Sequence, residues 1–501
     1  MQKKKTKVMP TDFRQNSKEI TEFVIGIIGP VGCNRKLVID SITSLAKHYS
    51  YKVEKIGLSD VFKKYCLLPP HKEDQFKRVM DLMTAGNELR SRTKDNAILA
   101  KLAAVEISKS RLRLSEKNII YVIDSIKRPE EVEELRNIYG GGFYLFAVHS
   151  SEQSRELFLK NECSIKTKNK RTQLIERDKD EKIGHGQSTR EAFHLADFFL
   201  TEDGDTKKVW NTIERFFDII FGDPFKTPTF HEYAMFMAYA ASMKSADLSR
   251  QVGAVVTIGT DIISSGANEC PKPSGGTYWP TYERSTGRIF DVANGRDYTN
   301  NFDCNEKEKQ KIIAALKNNI PKGVLKQLEE NIVTSQLNDI TEYGRVVHAE
   351  MDAILACARR GISCEKSVVF CTTYPCHNCA KHIVVSGIEK VVFIEPYPKS
   401  RAYEMHPDAI RTPEDKTSDK VLFIPFVGVG PRQFVNMFSM TLSLGEKIRR
   451  KQKGSFERVE WDKSTARPRV KMFANSHIER EDFVEEEAVA KLSKLGKIVV
   501  H

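Results

Sequence analysis

The sequence lacks the features that mark membrane, secreted and repeat proteins. None of its apolar runs approaches the ~20 residues that a membrane-spanning helix needs. It has no internal repeat and no low-complexity tract, which argues against a solenoid architecture. The basic first residues are not followed by the apolar core of a signal peptide. We therefore expect a cytoplasmic protein without a membrane partner.

A dense cysteine framework is missing as well. The ten cysteines are scattered over 501 residues, a usage that favours buried or free thiols in a reducing compartment. Hydrophobic residues make up 40% of the chain, which is typical of a globular protein. The net charge of +12 admits nucleic acid or small phosphorylated molecules as partners, but charge alone does not choose between them.

Length and glycine/proline-rich segments predict two domains. In the first, short apolar strands alternate with helical patterns, the longest at 76–110, which predicts a doubly wound, mostly parallel α/β sheet. The second also combines strands and helices. The predicted segments are a basic tail at 1–20, an N-terminal domain at 21–224, a second domain at 228–446 with a polar insert at about 271–343, and a C-terminal packing or assembly segment at 447–501.

The first predicted strand ends in a glycine-containing turn, where a phosphate-binding loop belongs. The usual G-x-x-x-x-G-K-[ST] pattern is degenerate, because Asn34, Arg35 and Lys36 replace its second glycine, lysine and hydroxyl residue. Backbone amides at the start of the next helix can still bind phosphate. We predict nucleotide binding without kinase activity; a structural remnant and an active kinase stay open as alternatives. The candidate residues are Gly29, Gly32, Arg35, Lys36 and, at the end of another strand, Asp124.

Two segments of the second domain carry metal-ligating residues. One contains His348 and Glu350, and the other contains Cys376 and Cys379. Residues three apart lie on one face of a helical turn, whereas residues two apart do not. A catalytic zinc keeps three protein ligands and one open position. We therefore assign His348, Cys376 and Cys379 to zinc and leave Glu350 for proton transfer.

This H-x-E…P-C-x-x-C pattern resembles the signature of zinc-dependent nucleobase deaminases. In that chemistry Glu350 would take a proton from the attacking water and deliver protons to the ring nitrogen and the leaving ammonia. A structural zinc site is the alternative. It would need a fourth ligand, for which Cys357, Cys371 and His377 are candidates, and it would have no use for Glu350.

The chain as a whole resembles the bacterial anti-phage dCTP deaminases, which join a P-loop kinase-like domain to a dCMP-deaminase-like domain. The resemblance implies an N-terminal P-loop-type parallel sheet, a C-terminal cytidine-deaminase-like α/β/α sandwich, and zinc as the cofactor. It also implies hydrolysis of dCTP or dCMP to the deoxyuridine nucleotide and ammonia, which depletes dCTP during phage infection. The stretches that carry the resemblance are the two zinc motifs, Ser249–Ala254, Gly266–Pro271 and, less specifically, Gly29–Gly32 and Val122–Pro129.

The resemblance further implies substrate contacts and partners. The backbone at Ala349 and the side chain of Asn268 would hold the base and sugar. A regulatory nucleotide at the N-terminal domain, an inhibitory small RNA or protein, and a second copy of the chain are the expected partners. Basic residues that are candidates to bind the phosphates of a free nucleotide are Arg250, Arg284, Arg288, Arg296 and Lys399.

Two other functions stay open at this point. An RNA or single-strand DNA cytidine deaminase would use the same zinc chemistry with aromatic residues that stack on bases. Only one of the three tryptophans, Trp279, lies near the expected substrate loop. The other function is a nucleotide-sensing binding module with a structural zinc site. The Ser249–Ala254 stretch favours a free nucleotide as the substrate.

Overall fold

The computed structural model describes residues 21–67, 74–179, 181, 185–318, 342–397, 401–417, 419–470, 472, 476–494 and 498–499. The predicted basic tail at 1–20, Lys399 and residues 319–341 of the predicted insert lie outside the described residues. The chain divides into two compact units. Unit 1 comprises Met1–Thr229 and Val427–His501, and unit 2 comprises Phe230–Phe426.

Strands and helices alternate through most of the described chain. The strands are β1 Thr21–Ile28, β2 Lys52–Gly57, β3 Cys66–Leu67, β4 Asn118–Ile126, β5 Phe143–His149, β6 Phe198–Thr201, β7 Gly253–Ile258, β8 Asp261–Ala267, β9 Thr281–Glu283, β10 Arg288–Phe290, β11 Val368–Cys371, β12 Lys390–Phe393, β13 Ile410–Arg411, β14 Val421–Pro425, β15 Gly428–Val429 and β16 Ile498–Val499. The helices are α1 Arg35–His48, α2 Leu58–Tyr65, α3 Gln75–Thr93, α4 Ile98–Arg113, α5 Pro129–Tyr139, α6 Glu152–Asn161, α7 Lys168–Lys179, α8 Thr189–Phe193, α9 Thr206–Ile220, α10 Phe230–Ser242, α11 Cys304–Asn318, α12 Ala349–Arg360, α13 His377–Val385, α14 Ala402–Met405, α15 Pro431–Phe438 and α16 Ser476–Leu492.

The described residues of unit 1 contain a six-stranded sheet in the order β15-β6-β5-β1-β4-β2. All neighbours pair in parallel except β15, which runs antiparallel to β6. The central strand β1 is almost entirely buried, as expected for an apolar strand covered on both faces. The predicted α/β class with a parallel sheet is confirmed. Open parallel sheets bind ligands at the carboxyl ends of their strands, where the Gly29–Lys36 turn lies.

The long helical pattern at 76–110 forms two helices, α3 and α4. The break follows from Lys94, which adopts a left-handed backbone with φ of 52° and ends α3. The Asp95 carboxylate then accepts a hydrogen bond from the amide of Ala97 at 2.9 Å and pairs with Lys101. Helical periodicity continues across this corner because both helices bury apolar faces, so the sequence pattern alone did not reveal it.

The predicted end of the second domain, at 446, differs from the end of unit 2 at Phe426. The residues that follow belong to unit 1, because β15 pairs with β6 of that unit. Further along, the Trp461 indole donates to the carbonyl of Phe221 at 3.3 Å, and the Arg469 amide donates to the carbonyl of Ile220 at 2.8 Å. These contacts fix the chain to the end of α9, so the boundary follows long-range pairing that local composition does not show.

The C-terminal helix α16 packs on α4, again within unit 1. Arg111 of α4 lies between two buried carboxylates, 2.5 Å from Glu481 of α16 and 2.6 Å from Glu22 of β1. The Tyr139 hydroxyl donates to Glu481 at 2.8 Å. A buried charge is tolerated only where it is paired in this way. Helix α16 thus packs within unit 1. A role of residues 447–501 in assembly stays a prediction.

Unit 2 has its own six-stranded sheet, in the order β13-β14-β12-β11-β7-β8 within the described residues. Strands β13, β14, β12 and β11 are parallel, whereas β7 and β8 are antiparallel to their neighbours. A separate hydrophobic core of buried residues forms around this sheet. No helix in the described part of the chain combines the length and the apolarity needed to cross a bilayer.

Two glycines let helices approach the sheet of unit 2 closely. A Cβ at Gly253 of β7 would lie 1.9 Å from the carbonyl oxygen of Ala238 in α10. A Cβ at Gly266 of β8 would lie 2.3 Å from the carbonyl oxygen of Ala349 in α12. Gly266 pairs with Ala254, the neighbour of Gly253, so the two glycines face opposite sides of the sheet. Helices α10 and α12 therefore cover opposite faces, and Gly266 fixes the depth of the helix that follows His348.

Candidate metal and catalytic site

Three potential metal ligands converge at the start of two helices in unit 2. His348 is the N-cap residue of α12, and Cys376 is the N-cap residue of α13. Cys379 lies in the first turn of α13, where its amide donates to the Cys376 sulfur at 3.4 Å. The positive end of a helix dipole stabilises thiolates at such positions. The local sequence thus presents both sulfurs toward the same point as the imidazole.

The donor atoms are close enough to share one ion. The Nδ1 atom of His348 is 3.3 Å from the Cys376 sulfur and 3.4 Å from the Cys379 sulfur. All three donor atoms lie within 4.8 Å of one another. A tetrahedral zinc with Zn–N of ~2.0 Å and Zn–S of ~2.3 Å places a nitrogen and a sulfur ligand about 3.5 Å apart. One imidazole and two thiolates at these distances fit zinc.

The cluster holds three donors and not four. Cys357, Cys371 and His377, the candidate fourth ligands of a structural site, do not join it among the residues that the structure describes. A structural zinc site has four protein ligands, whereas a catalytic site leaves one position open. The donor set therefore matches a catalytic site.

Hydrogen bonds inside the cluster shift the pKa values of its three groups in different directions. The hydrogen bond from Cys379 and then the interaction with His348 lower the pKa of the Cys376 thiol to about 3. The hydrogen bond to Cys376 raises the pKa of His348 to about 9, and the nearby positive charge of Arg250 opposes part of this rise. The hydrogen bond to Cys376 also raises the pKa of the Cys379 thiol well above its usual range. Of the two sulfurs, Cys376 is therefore the one in which the thiolate, the form that binds metals, is favoured.

Glu350 lies beside the cluster without belonging to it. Its residue is 3% exposed, and its Oε2 atom is 3.5 Å from the Cys379 sulfur. Burial raises the pKa of this carboxyl group, and the Cys376 thiolate raises it further. A carboxyl group whose pKa is moved toward neutrality suits a residue that accepts and returns protons. The geometry agrees with the separation of ligand and proton carrier expected from the two-residue spacing.

The structure places the three residues expected to hold the substrate, and one of them, Asn268, binds the protein backbone in this structure. Ala349 is fully buried as the first residue of α12. Arg250 is exposed on the loop before β7. The Asn268 side chain faces this loop: its oxygen accepts from the Val252 amide at 2.7 Å and its nitrogen donates to the Arg250 carbonyl at 2.8 Å. In this state Asn268 shapes the loop that carries Arg250.

The candidate residues of the N-terminal turn belong to unit 1, whereas the metal cluster belongs to unit 2. Gly32 needs its glycine, because its φ is +83°. Arg35 pairs with Asp124 at 2.8 Å; burial raises the pKa of Asp124, but Arg35 and Lys55 outweigh this and lower it. Lys36 instead points to solvent and pairs with Asp40 of α1. The structure thus joins Arg35 to Asp124 and leaves Lys36 outside the turn.

Two acidic residues that the sequence analysis did not single out bind backbone amides of the turn. The Val31 amide donates to the Asp178 carboxylate at 2.8 Å, and the Asn34 amide donates to Glu202 at 3.2 Å. The Lys127 ammonium binds both Asp178, at 2.7 Å, and the carbonyl of Gly29, at 2.9 Å. Carboxylates therefore bind amides that would otherwise face phosphate. No motif marks Asp178, which lies 147 residues from Val31, so no local signal could have found it.

Comparison with known proteins identifies unit 2. Residues 228–395 match the family model of the cytidine and deoxycytidylate deaminase zinc-binding region. The deoxycytidylate deaminase of Enterobacteria phage T2 is 32% identical over 169 residues, which cover 33% of this chain and 79% of that protein. The deoxycytidylate deaminase of Enterobacteria phage T4 is 32% identical over 171 residues, which cover 33% and 77%.

A solved structure with a related description is that of the dCMP deaminase from cyanophage S-TIM5 in complex with dCMP and dUMP. It covers 40% of this chain and 99% of that chain with 18% identity, and its TM-score of 0.23 is too low to support a conclusion. The phage T2 and T4 proteins carry more weight, because more than two thirds of each is matched at 32% identity. On these grounds the chain belongs to the cytidine and deoxycytidylate deaminase family.

Proposed function

We propose that the chain is a zinc-dependent hydrolase that deaminates deoxycytidine nucleotides, dCTP or dCMP, to the deoxyuridine nucleotides and ammonia. The observation that carries this proposal is the buried Glu350 carboxylate, 3.5 Å from the sulfur of one of three converging metal ligands. The phage relatives are named as deoxycytidylate deaminases, which supports a free nucleotide as the substrate. Depletion of dCTP in anti-phage defence is the biological role that the resemblance implies.

The reaction adds water across the C4 carbon of cytosine and expels its amino group. Zinc held by His348, Cys376 and Cys379 supplies Lewis acidity, which lowers the pKa of a water to roughly 7. The Glu350 carboxylate takes the proton of the attacking water and passes it to the ring nitrogen. Glu350 then takes the remaining proton from the hydroxyl group added at C4 and delivers it to the amino group. The C4=O bond forms as the C4–N bond breaks, and ammonia leaves with uracil as the product base.

Arg250 supports nucleotide binding in this proposal. It is exposed on a loop beside the cluster, close enough for its charge to lower the pKa of His348. A guanidinium there can bind a phosphate through two parallel hydrogen bonds. The side chain of Asn268 holds the loop that carries Arg250 and can contact the sugar only by exchanging its present hydrogen bonds.

A substrate panel tests the proposal. Purified protein is incubated with dCMP, dCTP, CTP and a cytidine-containing oligonucleotide, and ammonia and the uracil product are measured. We expect turnover of dCMP or dCTP. Turnover of the oligonucleotide alone would favour an RNA or single-strand DNA deaminase. Zinc at about one per chain without any product would favour a binding module and contradict the proposal.

The second part of the proposal is a regulatory nucleotide at the N-terminal turn. Arg35 lies at the turn beside Asp124, whereas Lys36 pairs with Asp40 in solvent. Removing a charged partner of a phosphate costs about 1.5–3 kcal/mol, which is at least about tenfold in affinity. Triphosphate binding at the turn is expected to change the deamination rate, with half of the maximal effect at a characteristic concentration. We expect Arg35→Ala to raise that concentration by at least about tenfold. Lys36→Ala is the matched control and should not shift it.

Titration of each triphosphate against the deamination rate decides this point. Identical curves for the parent and both variants would contradict regulation through the turn. The carboxylates of Asp178 and Glu202 bind turn amides, so a phosphate must displace at least one of them.

An inhibitory RNA or protein and a homo-oligomer complete the proposed control of the enzyme.

A further inference from the structure

We propose that Glu269 and Arg296 are positioning residues for the substrate, although neither faces the metal cluster as a ligand. Together they hold the segment from Ser245 to Val252, here called the Arg250 loop, in the shape that presents Arg250. This inference rests on the proposed nucleotide deamination and assigns a role to the insert that follows β8.

The Arg250 loop has few internal hydrogen bonds. The Asp247 carboxylate accepts from the amides of Ser249, at 2.8 Å, and Arg250, at 3.1 Å. The Gln251 side chain donates to the carbonyl of Ser245 at 2.8 Å. Ser249 and Arg250 are exposed and Asp247 is half-buried, so these bonds compete with water. The conformation of the loop must therefore come in part from the buried residues beneath it.

Glu269 is the buried anchor at the start of the loop. Its residue is 1% exposed, and its Oε2 atom accepts a hydrogen bond from the Ala246 amide at 3.0 Å. Its backbone also pairs with Val347, with N–O distances of 3.1 and 3.0 Å. Val347 directly precedes the metal ligand His348. One residue thus connects the Arg250 loop to the chain that carries the imidazole.

Arg296 provides the positive charge that a buried carboxylate requires. It lies in the insert, is 4% exposed, and its Nε atom is 3.4 Å from Glu269. The same guanidinium lies 3.3 Å from Asp291 and donates to the carbonyl of Tyr278 at 2.8 Å. The expectation that Arg296 binds phosphate at the surface does not agree with this burial. It pairs inside the protein because an uncompensated buried charge is costly.

The pair therefore connects the insert, which carries Arg296, to the Arg250 loop, whose Ala246 amide binds Glu269. The two carboxylate oxygens of Glu269 accept from two amides, those of Ala246 and Cys270, whereas a glutamine has one oxygen to serve both. The substitution therefore weakens the bond to the Arg250 loop, and it leaves Arg296 with Asp291 as its charged partner.

Without Arg296, Glu269 keeps the amides of Ala246 and Cys270 but loses the guanidinium that compensates its buried charge, which weakens its hold on the loop. In both cases the Arg250 loop loses support at Ala246 and depends more on Asn268 and Asp247, which bind the backbone of Arg250. The three metal ligands keep their own contacts on α12 and α13. Substrate affinity should fall and chemistry should persist.

Steady-state kinetics of Glu269→Gln, Arg296→Gln, their double variant and Arg296→Lys test this role. We expect each Gln variant to raise KM for the nucleotide about tenfold with kcat within about threefold and zinc content unchanged. The double variant should raise KM by less than the product of the single effects, because both remove one shared interaction. Arg296→Lys keeps the charge and should recover part of the affinity. Glu308→Gln, an exposed carboxylate of the same insert paired with Lys311, is the control with unchanged KM.

Hydrogen exchange separates this inference from the proposed activity, since it needs no substrate. In Glu269→Ala, which removes both acceptor oxygens, the amide of Ala246 should exchange at least about tenfold faster than in the parent. Independent, multiplicative effects of the two Gln variants, an unchanged KM, or unchanged exchange at Ala246 would each overturn the positioning role. If Glu269→Gln loses zinc or does not fold, the Arg296→Gln variant decides: a parental KM overturns the role, and a raised KM with unchanged zinc content supports it. A parent without any deamination would overturn the proposed function, and the exchange result would still decide whether Glu269 orders the loop.

Discussion

Glu350→Gln should slow deamination by about 10²–10⁴-fold, the usual contribution of a positioned general acid and base. The substitution keeps the size of the side chain and removes its capacity to take up and return a proton. Glu350 is buried next to the metal cluster but does not belong to its donor set in the described structure. The zinc content of the variant should therefore equal that of the parent.

Measurement of kcat and of zinc per chain on the same sample distinguishes the two roles. Asp352→Asn is the matched control, because Asp352 is a second buried carboxylate on α12 and accepts from the Ala267 amide at 3.3 Å instead of facing the metal donors. Its kcat should stay within about threefold of the parent. Loss of zinc from Glu350→Gln would show that the carboxylate is a ligand, and it would refute the assignment of proton transfer.

Cys379→Ser should lose zinc, abolish turnover and remove the stabilisation that zinc gives to the folded protein. Cys379 is 1% exposed, and its sulfur lies 3.4 Å from the His348 ligand atom. A ligand that binds only the folded state stabilises it by about 2.7 kcal/mol when present at 100 times its Kd. The melting temperature of the parent should therefore fall on treatment with a chelator, whereas that of Cys379→Ser should not respond to zinc or chelator.

Calorimetry with and without added zinc, together with metal analysis, tests this expectation. Cys304→Ser serves as the control, because Cys304 lies at the start of α11, outside the metal cluster, with its sulfur 3.7 Å from Asp297. That variant should keep zinc, turnover and the thermal response of the parent. Full zinc occupancy in Cys379→Ser would mean that another donor completes the site, and the three-ligand assignment would then be wrong.

The sequence predicted zinc as the cofactor because that information is local. Spacing within two short segments was sufficient to choose His348, Cys376 and Cys379, and the structure brings their donor atoms within 4.8 Å. The parallel sheet of unit 1 was also predictable, because the alternation of strands and helices is repeated along the chain. Zinc as the cofactor is confirmed by the family and by this donor set.

Features that depend on distant pairing were not predictable. Glu269 and Arg296 are 27 residues apart and ordinary in composition, and only burial turns them into an ion pair. The end of unit 2 at Phe426 likewise depends on a two-residue strand that pairs with β6. The corner at Lys94 requires a left-handed backbone at a residue that does not prefer it, so sequence preference pointed the other way.

The division of unit 1 into two chain segments has a consequence for biosynthesis. Ribosomes add roughly 5–20 residues per second, and domains generally fold as units. A nascent chain therefore holds every residue of unit 2 several seconds before Ser476–Leu492 can supply α16 to unit 1, whereas β15 follows unit 2 within about a second. A chain that stops before Val427 contains all the proposed metal ligands but lacks β15, the edge strand that pairs with β6, and Glu481, one of the two carboxylates that pair with Arg111. An incomplete chain released from the ribosome would thus contain a complete unit 2 and an incomplete unit 1.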